Sequence, residues 1–110
     1  MTQLLMYVRQ RTCHDQQLVR LCLQEYDVPY TEVDISLEPD AAQELDELVG
    51  CLAVPTLVIA DDDHRPIMPP SPIGPYQSVR NVDRGSVISE PSREGLRQFL
   101  IKHTLLHPIT

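Results

Sequence analysis

No apolar run in this chain of 110 residues approaches the roughly 20 that cross a bilayer, so no transmembrane helix is expected. The N-terminus has no basic stretch followed by an apolar core and a cleavage site, so no secretory signal is expected. Basic residues are few: Lys and Arg number 9 against 16 Asp and Glu, for a net charge of −7. A nucleic-acid binder needs a basic face, and docking on anionic lipid needs the same, so both are excluded as partners. Cysteines number three, too few and odd for a disulfide-stapled secreted scaffold, which makes the reducing cytoplasm the expected compartment. No internal repeat is present. The acidic turn Asp61-Asp62-Asp63-His64 reads as a solvated charge run, and no metal is assigned to it.

What remains is an ordinary composition, 42% hydrophobic and 23% charged, at a length that makes one domain over residues 1–110. Such a chain buries a core without staples. An apolar run at residues 4–9 predicts a buried strand. Leu18, Val19, Cys22, Leu23 and Tyr26 recur at helical spacing over residues 14–26. Asp27-Val28-Pro29 ends that helix, because the residue before a proline avoids the helical region. Residues 30–35 alternate with period two and carry β-branched side chains, predicting a second strand. Strand, helix and strand within about 30 residues make a βαβ unit, whose strands are parallel with a right-handed crossover.

Pro39 opens a second helix with Ala42, Leu45, Leu48 and Val49 on its buried face, and Gly50 closes it. Thr56 to Ala60 is a third strand, with Pro55 at its start, where a proline is tolerated. Residues 61–85 hold five of the ten prolines, a composition that favours extended, polyproline-like backbone. The stretch reads as an insertion between strands. Met68, Ile73, Tyr76 and Val79 give it apolar groups to pack on the domain or on a partner. Residues 86–89 suit a short fourth strand, and Pro91 opens a last helix with Leu96, Phe99, Leu100 and His103 in phase. His103 and His107 are expected at the surface or at a groove edge.

The chemistry concentrates in Tyr7-Val8-Arg9-Gln10-Arg11-Thr12-Cys13-His14-Asp15-Gln16. Cys13 falls at a strand-to-helix turn, where unpaired backbone N–H groups and the helix dipole favour a thiolate. Arg9 and Arg11 add positive charge nearby, His14 either tunes the thiol or is merely solvated, and Asp15 opposes them. Cys13 is therefore a candidate nucleophile, against the plainer reading of an inert cysteine in a βα turn.

The element order, Thr12-Cys13 after the first strand and Val54-Pro55 before the third resemble the thioredoxin fold and, within it, the glutaredoxin family. The resemblance covers residues 4–60 and 86–106. It implies an α/β fold with a four-stranded mixed sheet, ordered 2-1-3-4 and flanked by helices, with the proline-rich insertion between strands 3 and 4. It also implies a cis proline at 55 facing Cys13, with the Val54 backbone pairing to the backbone of the substrate's cysteine. Several positions depart from the family pattern. Gln16 stands where dithiol members carry their second cysteine, and Cys-Gly-Phe-Ser is absent. Gln10 takes the place of the glutathione-binding lysine, leaving Arg9 or Arg11 to hold a carboxylate. Ala53 replaces the threonine of Thr-Val-Pro. Ser89-Glu90-Pro91 replaces the Gly-Gly stretch whose following N–H groups hold the glutamyl carboxylate, and Pro91 has no N–H.

The resemblance implies a thiol–disulfide oxidoreductase-like protein that uses Cys13 alone, through a mixed disulfide with glutathione or a partner protein. Arg9, Arg11, Gln16, Val54 and Pro55 would bind the substrate. No cofactor is expected, with glutathione as a possible co-substrate. The alternative is a non-catalytic thioredoxin-fold binding module. Cys22, nine residues along the same helix, lies about 13.5 Å from Cys13. Disulfide-bonded Cα atoms lie within about 7 Å, so Cys22 cannot bridge to Cys13 and is assigned to the core. Cys51, four residues before Pro55, either approaches the site as a resolving thiol or packs inward.

Overall fold

The strand β1, Gln3–Val8, is the centre of the molecule, with Leu4 to Val8 all buried. The computed structural model describes residues 1–11 and 13–108. β1 pairs in parallel with β2, Thr31–Asp34, and antiparallel with β3, Thr56–Ala60, which in turn pairs antiparallel with β4, Val87–Ser89. The sheet order is β2-β1-β3-β4, as expected. Successive side chains of a strand point to opposite faces, and each face of this sheet has its own core. Leu4, Met6 and Val8 join Leu57, Ile59 and Ile88 under two helices, α1 (His14–Glu25) and α3 (Arg93–Lys102). Leu5 and Tyr7 join Val58, Ala60 and Val87 under α2, Pro39–Val49.

The helix ends follow from local chemistry. Pro39 occupies the first turn of α2, and Gly50 ends it with φ +89°, the left-handed conformation glycine adopts without a Cβ penalty. On α2, Ala41 is buried in place of the expected Ala42. Leu48 is only half-buried against the same cluster. α3 starts later than expected. Pro91 lies before it, and Ser92 is the N-cap, its hydroxyl accepting from the Gly95 N–H at 3.0 Å. No helix among the described residues is long and apolar enough to cross a membrane.

Residues 61–85 form neither helix nor ladder strand, yet they are tied closely to the domain. Residues 80–83 lie along the outer edge of β4, bridging Arg80 to Ser89 in parallel and Asp83 to Ile88 antiparallel. An open strand edge invites pairing with other chains, and this cover blunts it. Arg84 N–H donates to Val87 O at 2.9 Å across a turn in which Gly85 has φ +96°. The buried Arg84 side chain donates from Nε to Ser71 O at 2.8 Å, and Ser71 N–H donates back to Arg84 O at 2.9 Å. Val79 packs on the α2-side core, Ile73 is half-buried, and Met68 and Tyr76 are exposed.

Candidate active site around Cys13

β1 ends at Val8 and α1 begins at His14, so Cys13 stands directly before an anchored helix. Cys13 is the N-cap of α1, extended at φ −124° and ψ 170°, with its carbonyl accepting from Gln17 N–H at 3.1 Å. Its side chain is exposed and makes no capping hydrogen bond. It opens onto a groove of about 450 Å³, with Arg9, Arg11, Asp15 and Gln16 on one side and Leu52, Ala53, Val54 and Glu90 on the other. Thr12, the other half of the expected Thr-Cys pair, lies outside the described residues.

Opposite Cys13, the Val54–Pro55 peptide bond is cis, and both residues are buried. Among the described residues, no backbone hydrogen bond engages the N–H or C=O of Val54. Thr56 steadies this segment, its hydroxyl donating to Ala53 O at 2.8 Å and sharing a hydrogen bond with the Ser89 hydroxyl at 2.7 Å. The Arg9 guanidinium spans the groove and donates to Leu52 O at 2.8 Å. Arg11 is exposed on the same rim.

Gln16 is placed differently from a substrate-binding side chain. It is fully buried, and both ends of its amide are occupied: Oε1 accepts from Arg9 N–H at 3.0 Å and Nε2 donates to Arg9 O at 3.2 Å. In the position of a second cysteine, the chain carries a clamp on the loop that presents Cys13. Cys22 lies in the core, where burial pushes its thiol up from the ordinary value. Cys51 does not pack inward. It is exposed and lines a neighbouring groove with Ile73 and Val79 of the insertion.

Two residues of the site were not legible as such. Arg80, from the insertion, makes a two-pronged ion pair with Asp15 at 2.9 and 3.2 Å and a further contact with Glu90 at 3.2 Å. The hydrogen bond to Asp15, followed by the charges of Asp15, Glu90 and Cys13, pushes the Arg80 guanidinium up from its ordinary value. Glu90 follows β4 with φ +45°, the left-handed region where glycine is favoured, and its N–H donates to Pro55 O at 2.7 Å. Asn81 N–H donates to Ser89 O at 2.7 Å, and its side-chain carbonyl accepts from Ser92 N–H at 2.9 Å. The N–H groups of Glu90 and Ser92 are thus both engaged, and Pro91 between them has none. His103 caps α3, half-buried, with Nε2 at 2.7 Å from Gly85 O, while His107 is exposed beyond the helix.

A four-stranded sheet in this order, with an exposed cysteine at the start of the first helix and a proline opposite, defines a thioredoxin-fold protein with a thiol site. The Glutaredoxin family model matches residues 4–65, more than half of the chain, and the chain belongs to that family. The match carries a thiol–disulfide oxidoreductase-like function in general terms. It stops at residue 65, before most of the insertion, β4 and α3. Comparison with curated proteins finds no match, and comparison with solved structures finds none.

Proposed function

We propose that the chain is a cytoplasmic thiol–disulfide oxidoreductase that works through Cys13 alone. The observation that carries this is an exposed, uncapped Cys13 at the N-terminus of α1, opening onto a groove walled by Val54. With a disulfide between a substrate thiol and glutathione, the Cys13 thiolate attacks the glutathione sulfur. A Cys13–glutathione disulfide forms, the original S–S bond breaks, and the substrate leaves as thiolate to take a proton from water. A second glutathione thiolate attacks the mixed disulfide, leaves as oxidised glutathione and returns the Cys13 thiolate. A protein thiol serves the same steps. Val54 and Pro55 align the substrate backbone, Arg9 and Arg11 hold a carboxylate by charge-assisted bonds, and Gln16 positions the loop.

Substrate carboxylates meet side-chain cations here, since the N–H groups around Pro91 are occupied or missing. A binding module without turnover is favoured by one observation, that Arg80 of the insertion is bound to Asp15 and Glu90, which line the groove. The test is reduction of a small glutathione mixed disulfide by the wild type and by Cys13→Ser and Cys51→Ser. Turnover lost in Cys13→Ser and kept in Cys51→Ser supports the single-cysteine enzyme. A wild type that forms the mixed disulfide but never turns over supports the binding module. Turnover that survives Cys13→Ser refutes the assignment of Cys13.

A further inference from the structure

We propose that Arg80 is a positioning residue of the groove, neutralising Asp15 and Glu90 so that a Cys13 thiolate and an anionic thiol substrate share one site. This deepens the reading of Cys13 as nucleophile and rests on it. The titratable and charged groups around Cys13 are His14 and Asp15 on its own element, Arg9 and Arg11 on the preceding loop, Glu90 after β4 and Arg80 from the insertion. The segment before Pro55 contributes Leu52, Ala53 and Val54, which carry no side-chain charge. Left alone, Asp15 and Glu90 balance the two groove arginines. Their like charge opposes both a thiolate and an incoming carboxylate.

A single guanidinium meets both carboxylates, two-pronged on Asp15 and single on Glu90, and tips the groove positive. Its backbone is well supported for the task. Arg80 bridges Ser89 of β4, its N–H donates to Ser78 Oγ at 3.1 Å, and the adjoining Asn81 is bonded to Ser89 and Ser92. The insertion thereby contributes a cation to a site that the rest of the chain leaves balanced.

The test is the alkylation rate of Cys13 against pH in a Cys51→Ser background, because Cys51 is also exposed and Cys22 is buried. Iodoacetamide serves as the neutral probe and iodoacetate as the anionic one. Arg80→Ala is expected to move the profile up by roughly half a pH unit, about a threefold slower reaction below its midpoint. The loss is expected to be larger with iodoacetate. Arg80→Lys should stay near the parent. Arg80→Ala combined with Asp15→Asn and Glu90→Gln should bring the profile back to the parent's or below it, because the three native side chains together carry −1 and their replacements carry none. Asp15→Asn with Glu90→Gln, which keeps Arg80 and gives a reading even if Arg80→Ala fails to fold, should move the profile down and speed iodoacetate. A purely structural Arg80 would change the melting temperature and leave both profiles unmoved, which overturns the proposal. So does failure of the combined variant to restore the profile. If alkylation persists in Cys13→Ser, the parent reading falls and this inference with it.

Discussion

Gln16→Ala removes the clamp that holds the loop before Cys13. The wild-type amide satisfies the N–H and the C=O of Arg9 at 3.0 and 3.2 Å from a fully buried position. Two net hydrogen bonds contribute about 2 kcal/mol, and the emptied stem adds a cavity cost, so the loss is about 2–4 kcal/mol. For a chain of this size about 4 °C of melting temperature corresponds to 1 kcal/mol, which gives a drop of roughly 8–16 °C. Gln16→Cys, which writes the dithiol motif Cys-x-x-Cys, loses the same two bonds, because a thiol is too short to reach both groups. Urea unfolding followed by circular dichroism measures the cost. Cys13 alkylation reports whether Arg9 and the loop are displaced in the folded variant. A cost below about 1 kcal/mol for Gln16→Ala would show that water replaces the amide and that the clamp does not hold the loop.

Cys22→Ala should cost about 1 kcal/mol at neutral pH through a small core cavity, with Cys13 chemistry intact. Burial raises the folded Cys22 thiol, so its stabilising preference is fully present below the unfolded value of 9.0 and is lost as pH rises beyond it. The penalty of Cys22→Ala should therefore shrink between neutral and alkaline urea titrations, and a constant penalty would refute the argument. Arg84→Met removes a buried guanidinium whose Nη1 has no partner among the described residues, while the backbone bonds of Ser71 and Arg84 remain. A buried charge without a carboxylate is costly, so stability should change by less than about 1 kcal/mol or rise, as read from the melting temperature. A loss above about 2 kcal/mol would mean that Arg84 Nε on Ser71 O is what holds the insertion.

The fold was legible because its determinants are local and periodic. The single run Leu4-Leu5-Met6-Tyr7-Val8 supplies both cores of the sheet, and a run buried on both faces reads as a central strand without further information. Pro39 and Gly50 bracket α2 by backbone preference alone. The start of α3 was displaced because Ser92 offers a capping hydroxyl and outweighs the proline signal at 91. The position of Cys13 was readable for the same local reason, its place between a strand and a helix start.

The polar half of the site was not readable, because its bonds join residues far apart in the chain. Arg80 meets Asp15 across 65 positions, and Asn81 meets Ser92 only because residues 80–83 lie along the edge of β4. Proline composition alone says that residues 61–85 avoid helix and strand, which is compatible equally with a mobile loop and with a strap. What separates the two is satisfaction of backbone groups: Asn81 and Arg84 bond to Ser89, Ser92 and Val87 outside the insertion, and Arg84 in turn holds Ser71. A strap so bound orders Arg80 before any substrate arrives, and cations ordered in advance lose less conformational entropy on binding an anion. The same order gives Gln16 its meaning. Gln16 holds the backbone of Arg9 on one rim and the β4 edge holds that of Arg80 on the other, so backbone contacts order these two cations on both sides of the groove.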